Sequence, residues 1–320
     1  MTAPDPHTAS LAGFSDQLAH AVESAARSIV AVHARERLAS TGVHWRDGLI
    51  VTTAATVRRE QGIEVTTPDG ARVCATLVGR DAASDLALLR LEGPTLVPHA
   101  ARAEPGRLRP GHLVLAVARL DGTGPRIAFG AVSRVGGAWR TWKGGEYSAL
   151  IQSGLPLHPG FGGSPLIDVD GHVHGINSGG LSQELTTTIP NETVERVLSH
   201  LLATGSVPRG WLGAALQPVR FSEAQASTAA NRESGLLIVG LADGGPAVTS
   251  GLLVGDIVLS VDGRDMHEPH DVLDTLERKT PGTVVSFDLL RGGAHATVQV
   301  TIGARPPEKE GRRRRSWSGR

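Results

Sequence analysis

The spacing of apolar and polar positions divides the chain into an amphipathic opening, a long run of short strands, and a smaller strand-rich region with its own helix. Over residues 14–26 (FSDQLAHAVESAA) apolar side chains recur at helical spacing, and Ser15 is placed to cap the first free N–H groups. Residues 1–13 lack that period and are expected to form a disordered lead. Short apolar runs then predict strands at 28–34, 41–45, 48–52, 63–66, 72–79 and 86–91, separated by turn signals such as Pro68-Asp69-Gly70. Six strands in so short a stretch predict a closed β-barrel. A second set at 112–118, 127–135, 147–153, 164–169, 172–177 and 186–189 predicts a second barrel.

Residues 191–202 (NETVERVLSHLL) return to the helical period, with Asn191 as the expected N-cap and Val194, Val197, Leu198 and Leu201 on one face. Gly205 and Pro208 end that helix, so a first domain is expected over 14–205 and a second over 209–303. The second domain carries a helix at 269–279 and a final hairpin, 284–290 with 296–302, turned by Arg291-Gly292-Gly293. Residues 304–320, with Arg312-Arg313-Arg314-Arg315, are expected to be a solvated, basic, disordered tail.

Composition agrees with a mainly β body. The 320 residues include 40 glycines and 19 prolines against 3% aromatics, which favours many turns over long helices. Lys+Arg and Asp+Glu both number 32, so the net charge of +0 gives no bulk attraction to nucleic acid. Cys74 is the single cysteine, so no intrachain disulfide forms and a reducing compartment is allowed. No basic segment followed by an apolar core opens the chain, and no apolar run reaches the ~18 residues of a membrane span. The expectation from the sequence as written is a cytoplasmic protein without a membrane span, and a periplasmic or secreted one only if the start is misassigned.

The candidate chemistry gathers at His158-Pro159-Gly160-Phe161-Gly162-Gly163-Ser164-Pro165-Leu166, a glycine-rich turn entering a strand. With Ile151-Gln152-Ser153 before it and Asp170-Gly171-His172-Val173-His174-Gly175-Ile176-Asn177 after it, this segment resembles the nucleophile loop of the HtrA/DegP group of trypsin-like serine proteases. That loop reads N-P-G-N-S-G-G-P-L in the family, and its serine falls on Gly162. The family's base lies in a V-T-N-x-H-V-V stretch, here Val51-Thr52-Thr53-Ala54-Ala55-Thr56-Val57, where Ala55 holds the histidine position. The orienting aspartate of D-x-x-x-D-L-A-L-L corresponds to Asp85 in Asp81-Ala82-Ala83-Ser84-Asp85-Leu86-Ala87-Leu88-Leu89. Serine proteolysis needs the nucleophile, the base and the orienting carboxylate together. The resemblance therefore implies a protease scaffold that has lost two of its three reacting side chains. Its oxyanion hole uses main-chain N–H groups, which map to Gly160 and Gly162. Phe161 replaces a polar residue of the family and is expected to crowd or cover that pocket.

Two further readings compete at this loop. Ser164 with His158, His172 or His174 could form a relocated dyad, giving an active endopeptidase, but two strand residues displace the hydroxyl by roughly 6–7 Å. The plain alternative leaves Ser164 in a turn hydrogen bond and the histidines as ordinary strand or surface residues. His172 and His174 share a strand face without a third ligand at a recognisable spacing, so no metal site is expected. An aspartate at 85 without its histidine needs other donors, such as nearby backbone N–H groups or Thr56.

The second domain resembles the PDZ domains fused to HtrA proteases. The matching residues are Arg209-Gly210-Trp211-Leu212-Gly213-Ala214, Gly245-Pro246-Ala247, and the run from Gly251 to Gly263 (GLLVGDIVLSVDG). The resemblance implies a carboxylate-binding loop at Trp211, Leu212, Gly213 and Ala214, facing a helix wall near Val272, Leu273 and Leu276. Peptides or protein C-termini are the implied partners. The family's habit of trimerising through the N-terminal region implies an oligomer, either a homotrimer or one mixed with an active paralogue. The whole expectation is a trypsin-like double β-barrel followed by a PDZ domain, needing no cofactor, catalytically inactive, and binding peptides or unfolded segments as a scaffold, chaperone or regulator.

Overall fold

A computed structural model describes residues 6–121, 123–141, 144–182, 185–208, 210–222, 232–277 and 279–304. The chain forms two compact units, divided after Val207.

The first unit opens with helix α1 (Pro6–Ala26), which begins eight residues before the expected start at residue 14. The disordered lead is thereby corrected from residue 6 onward, and Ser15 lies inside the helix instead of capping it. Leu18, Ala21, Val22, Ala25 and Ala26 turn inward, with Ala25 and Ala26 in the largest core cluster. Strands β1 (Ile29–His33), β2 (Ser40–Arg46), β3 (Leu49–Thr52), β4 (Ile63–Thr66), β5 (Arg72–Asp81) and β6 (Leu86–Leu91) close a barrel in the order β1-β2-β3-β6-β5-β4. Its interior is packed by Val30, Val32, Ile50, Val65, Ala87 and Leu89, all fully buried and mostly β-branched or leucine.

The second barrel, ordered β11-β14-β13-β12-β7-β8, is built from β7 (Leu113–Ala118), β8 (Arg126–Gly136), β11 (Leu150–Ser153), β12 (Pro165–Ile167), β13 (Val173–Ser178) and β14 (Thr186–Pro190). A small hairpin, β9 (Trp139–Arg140) with β10 (Glu146–Tyr147), lies between β8 and β11; the sequence expectation has no strand at β9 and runs Tyr147 on into the strand 147–153. Ile29, Val43, Trp45, Leu115, Val117, Ile176 and Ile189 belong to the same largest cluster as Ala25 and Ala26, which joins both barrels to α1 and to α2 (Asn191–Thr204). Helix α2 presents the expected face, Val194, Val197, Leu198 and Leu201, all at 0% exposure. Its N-cap differs from expectation. Pro190 occupies the cap, and Asn191 uses its side-chain NH2 to donate to the carbonyls of Val173 (2.7 Å) and Ala103 (3.3 Å). Gly205 ends the helix at φ 71, its N–H donating to Leu201 O at 2.9 Å, as a left-handed glycine stop does. Glu195 of α2 accepts from Trp45 Nε1 (2.7 Å), Arg46 (2.9 Å) and Arg102 (2.8 Å), tying the helix to the first barrel.

The second unit starts with β15 (Gly210–Trp211), paired with the closing β22 (Gly303–Ala304). Its main sheet runs β16-β17-β18-β20-β21, formed by β16 (Ala214–Arg220), β17 (Ser234–Leu241), β18 (Ile257–Val261), β20 (Val284–Arg291) and β21 (Ala294–Thr301), with β19 (Arg264–Asp265) beside β18. Gly292 and Gly293, at φ 57 and 84, make the two-residue turn of the β20–β21 hairpin. Helices α3 (Pro246–Thr249) and α4 (Pro269–Glu277) cover a core of Leu236, Ile238, Val258, Phe287 and Val300. Helix α4 is described as far as Glu277, and residue 278 of the expected 269–279 helix lies outside the described residues. The arginine run at 312–315 and residues 305–320 lie outside the described residues.

Candidate functional site

The first site is made where the two barrels meet. Ala55 sits on a single 3-10 turn, Ala54–Thr56, directly after β3, with its side chain exposed. The turn closes through Thr56, whose N–H (3.1 Å) and hydroxyl (2.8 Å) both donate to Thr53 O. Asp85 lies between β5 and β6 with φ 53, a left-handed backbone that aspartate tolerates better than most residues. It is only 7% exposed, and its carboxylate is fully engaged. Oδ1 accepts the Ala55 N–H at 2.9 Å and Oδ2 accepts the Ser178 hydroxyl at 2.6 Å. The backbone donor was anticipated from the sequence; Thr56 was the wrong hydroxyl. Thr56 bonds Thr53, and the hydroxyl that serves Asp85 comes from the end of β13, 93 positions away. No local signal marks Ser178 for this role.

The loop carrying Gly162 reaches the same place. Thr41 N–H, from β2, donates to Gly160 O (3.1 Å) and Gly162 O (3.3 Å), and the Thr41 hydroxyl adds a bond to Gly160 O at 3.0 Å. A Cβ at Gly162 would lie 3.2 Å from both Thr53 Oγ1 and Thr56 Cγ2, the residues flanking Ala55. Ala55, Asp85 and Gly162 are thus brought together. Gly160 and Gly163 need to be glycine: their φ values are 94 and 89, and a Cβ would run into Leu120 or into the Thr41 carbonyl. Gly162 lies outside the left-handed region, so its backbone does not demand glycine. Among the described residues, neither the Gly160 nor the Gly162 N–H donates a hydrogen bond, so two main-chain donors stand free.

Phe161 does not cover this pocket. It is 3% exposed and points into the second barrel among Leu108, Val114, Ala116, Val132 and Leu166, with the exposed His158 ring at its edge. An apolar side chain next to a barrel interior is drawn inward by the area it removes from water. Ser164 is fully buried, its hydroxyl accepting from Asn177 Nδ2 at 3.2 Å. Asn177 Oδ1 in turn accepts from the Thr188 hydroxyl at 2.8 Å. His174 is engaged elsewhere, its Nε2 lying 2.9 Å from Asp168 Oδ2. Asp168 also accepts from the N–H groups of Asp170 (3.0 Å) and His172 (2.9 Å). Burial pushes the Asp168 carboxyl upward, but these hydrogen bonds and the His174 charge outweigh it and hold the carboxyl below its ordinary value.

The second site lies in the C-terminal unit. Trp211 ends β15, Leu212 is buried, Gly213 turns the chain at φ 75, and Ala214 begins β16. The carbonyls of this loop are tied down: Leu212 O accepts from Ala247 N–H and Gly213 O from Ala242 N–H, both at 2.8 Å. Its amides are not. Among the described residues, the Leu212 and Gly213 N–H groups donate to nothing. Among the described residues, strand β16 pairs only with β17, which leaves its other edge open beside α4. Val272 and Leu276 of α4 are each 2% exposed and belong to the domain core, whereas Leu273 is partly exposed.

These two geometries agree with what the chain resembles. The profile of the trypsin-like peptidase domain matches residues 40–176, and that of the PDZ domain matches residues 212–302. A protein of Halomonas elongata named "Probable periplasmic serine endoprotease DegP-like" is 34% identical over 286 residues, covering 87% of this chain and 59% of that relative. Among solved structures, the serine endoprotease from Yersinia pestis is 26% identical with a TM-score of 0.69, over 91% of this chain and 98% of that one. The HtrA-type protease AlgW with tripeptide is 28% identical with a TM-score of 0.66, over 92% and 99%. The fold is that of a trypsin-like peptidase domain followed by a PDZ domain. The chain belongs with the HtrA-like proteins, and it spans little more than half the length of the curated relative.

The comparison also corrects the expected location. The curated relatives are named periplasmic, which points to the periplasm and away from the cytoplasm. A lone exposed cysteine that forms no disulfide is compatible with either compartment, so the cysteine count had no power to discriminate. Among the described residues no helix is long and apolar enough to cross a membrane.

Proposed function

We propose that this chain is a catalytically inactive HtrA-type protein whose working surface is the peptide groove of its PDZ domain. The observation that carries the reading is the pairing of identities with places. Alanine and glycine stand at residues 55 and 162, on either side of an aspartate still held by the Ala55 N–H and the Ser178 hydroxyl. A methyl group and a hydrogen supply neither base nor nucleophile. The free Gly160 and Gly162 amides keep the capacity to hold a carbonyl or an anion without attacking it.

In the PDZ domain the free Leu212 and Gly213 amides form a donor pair suited to a terminal carboxylate, and the open edge of β16 is suited to an added peptide strand. Trp211 and Ala214 frame that loop; of the expected wall residues Val272 and Leu276 are taken up by the domain core, which leaves the partly exposed Leu273 to line the groove. Self-association belongs to the same reading, as a homotrimer or a mixed assembly with an active paralogue. Leu11 and Phe14 are 71% and 38% exposed on α1, the region through which the family assembles.

The test is incubation of the purified chain with unfolded casein and with a fluorophosphonate probe, alongside Ser164→Ala. Neither cleavage nor labelling is expected. Labelling that Ser164→Ala abolishes would establish a relocated nucleophile and overturn the inactive assignment.

A further inference from the structure

The open edge of β16 is interrupted by a proline. Phe221 N–H donates to Glu233 O at 2.9 Å, which turns residue 221 toward β17. The register from Leu216↔Ile238 to Arg220↔Ser234 is unbroken, and an antiparallel strand alternates its backbone groups between its two sides. Gln217 and Val219 therefore face β17, while Leu216, Pro218 and Arg220 face the open edge. The far side of β17 agrees: Ile238 N–H donates to Asp256 O (2.8 Å) and Ile238 O accepts from Gly255 N–H (2.9 Å), so Ile238 is turned away from Leu216. At the loop end, the Ala242 N–H bond to Gly213 O points Gly213 inward and leaves Ala214 facing out.

We propose that Pro218 ends strand addition after about four peptide residues, so that the groove takes short, free C-terminal ends of polypeptides and not extended internal segments. This rests on the peptide-binding reading above. A peptide laid antiparallel on this edge meets outward backbone groups at 214, 216 and 218. Its last residue pairs at Ala214, with the carboxylate on the loop amides. Its third-from-last residue finds both the N–H and the carbonyl of Leu216. The fifth-from-last residue meets Pro218, which has no N–H, and whose exposed ring stands where the hydrogen would be. The peptide carbonyl there loses its water without gaining a donor. An internal segment lacks the carboxylate and would have to recover that affinity through a longer ladder. The proline removes that ladder, and the chain terminus remains the handle.

The experiment titrates the full chain, by fluorescence anisotropy, with two pools of free-carboxyl peptides, tetrapeptides and octapeptides. Both pools are randomised except for an apolar last residue. The two pools should bind the parent chain within about twofold of each other, and C-terminal amidation should weaken both by at least about tenfold. Pro218→Ala should tighten the octapeptides about fivefold and leave the tetrapeptides unchanged, as one restored backbone hydrogen bond would. Leu216→Pro, which removes an outward N–H and no internal bond, should weaken both pools. Octapeptides that bind the parent about tenfold tighter than tetrapeptides, or that ignore Pro218→Ala, would overturn the limit at Pro218 and leave the groove intact. If neither pool binds either chain, the groove itself is lost, and the limit with it.

Discussion

Asp85 meets Ala55 through the backbone: its Oδ1 accepts the Ala55 N–H at 2.9 Å while Ser178 fills Oδ2 at 2.6 Å. A buried carboxylate is thus fixed beside an alanine that meets it only through its backbone N–H. Neither bond needs an imidazole, which explains how the site remains folded without one. The two contacts hold together the 3-10 turn after β3, the β5–β6 turn and the end of β13.

The first prediction follows from that arrangement. Ala55 is exposed, so a histidine there has room, and Gly162 has an ordinary backbone with neighbours at 3.2 Å that need to yield only slightly to a serine. The double variant Ala55→His/Gly162→Ser is expected to react with a fluorophosphonate and to cleave casein, while each single variant stays unlabelled. Adding Asp85→Asn to the double variant should lower turnover by roughly 10³–10⁴. A double variant with native near-UV circular dichroism and no labelling would show that these positions are not a dormant triad.

The two adjacent glycines should behave differently when each is changed to alanine. Gly162→Ala should shift stability by less than about 1 kcal/mol, since its φ is unstrained and its new methyl meets atoms at 3.2 Å. Gly163→Ala should cost about 3 kcal/mol or more, because φ is 89 and the Cβ would run into the Thr41 carbonyl. Urea unfolding of the two variants measures the contrast, and equal costs would contradict the loop geometry.

How much of this was legible in the sequence depends on the range of the interaction. The barrel strands and the inward face of α2 were readable because their signals are local: short apolar runs, and Val194, Val197, Leu198 and Leu201 at helical spacing. Gly162 and Ala55 were placed by motif order. Ser178 was missed because its bond to Asp85 joins residues 93 apart, and no pattern along the chain records such a pairing. Phe161 was misjudged for a related reason. Sequence puts it in the glycine loop but cannot say which side of the loop it faces, and the barrel interior claimed it. Asn191 looked like a cap because its side-chain oxygen can accept a free helix N–H, yet Pro190 takes the cap position, and two carbonyls from elsewhere in the fold orient the Asn191 amide through its NH2 group.

Arg119 gives a prediction about how α1 is attached. It is 4% exposed, with Nε donating to Ile29 O (2.9 Å) and Nη2 to Ala26 O (3.3 Å), the last residue of the helix. Burial draws its guanidinium below the ordinary arginine value, but it remains a cation at the negative end of a helix. Arg119→Met keeps much of the volume and leaves both carbonyls without these donors, so a loss of about 2 kcal/mol is expected. Faster hydrogen exchange should accompany it in the last turn of α1. Unchanged exchange there would mean that the apolar face of the helix suffices to hold it.

The last prediction concerns acid. The Asp168 carboxyl is held below its ordinary value, with burial pushing it up and the contacts from His174, His172 and Asp170 pulling it down further. A folded-state value depressed below the unfolded one, about 3.9, adds stability that is fully present at higher pH. That contribution is lost as the pH falls through the folded value, because the unfolded chain then binds the proton more readily. Asp168→Asn removes the charge while keeping a similar shape. It should lower stability by about 1 kcal/mol at pH 7, and the difference from the parent should shrink as the pH drops below about 4. Urea midpoints across that range measure it. A gap between the two proteins that stays constant down to acid would mean that the Asp168 charge contributes nothing to the fold.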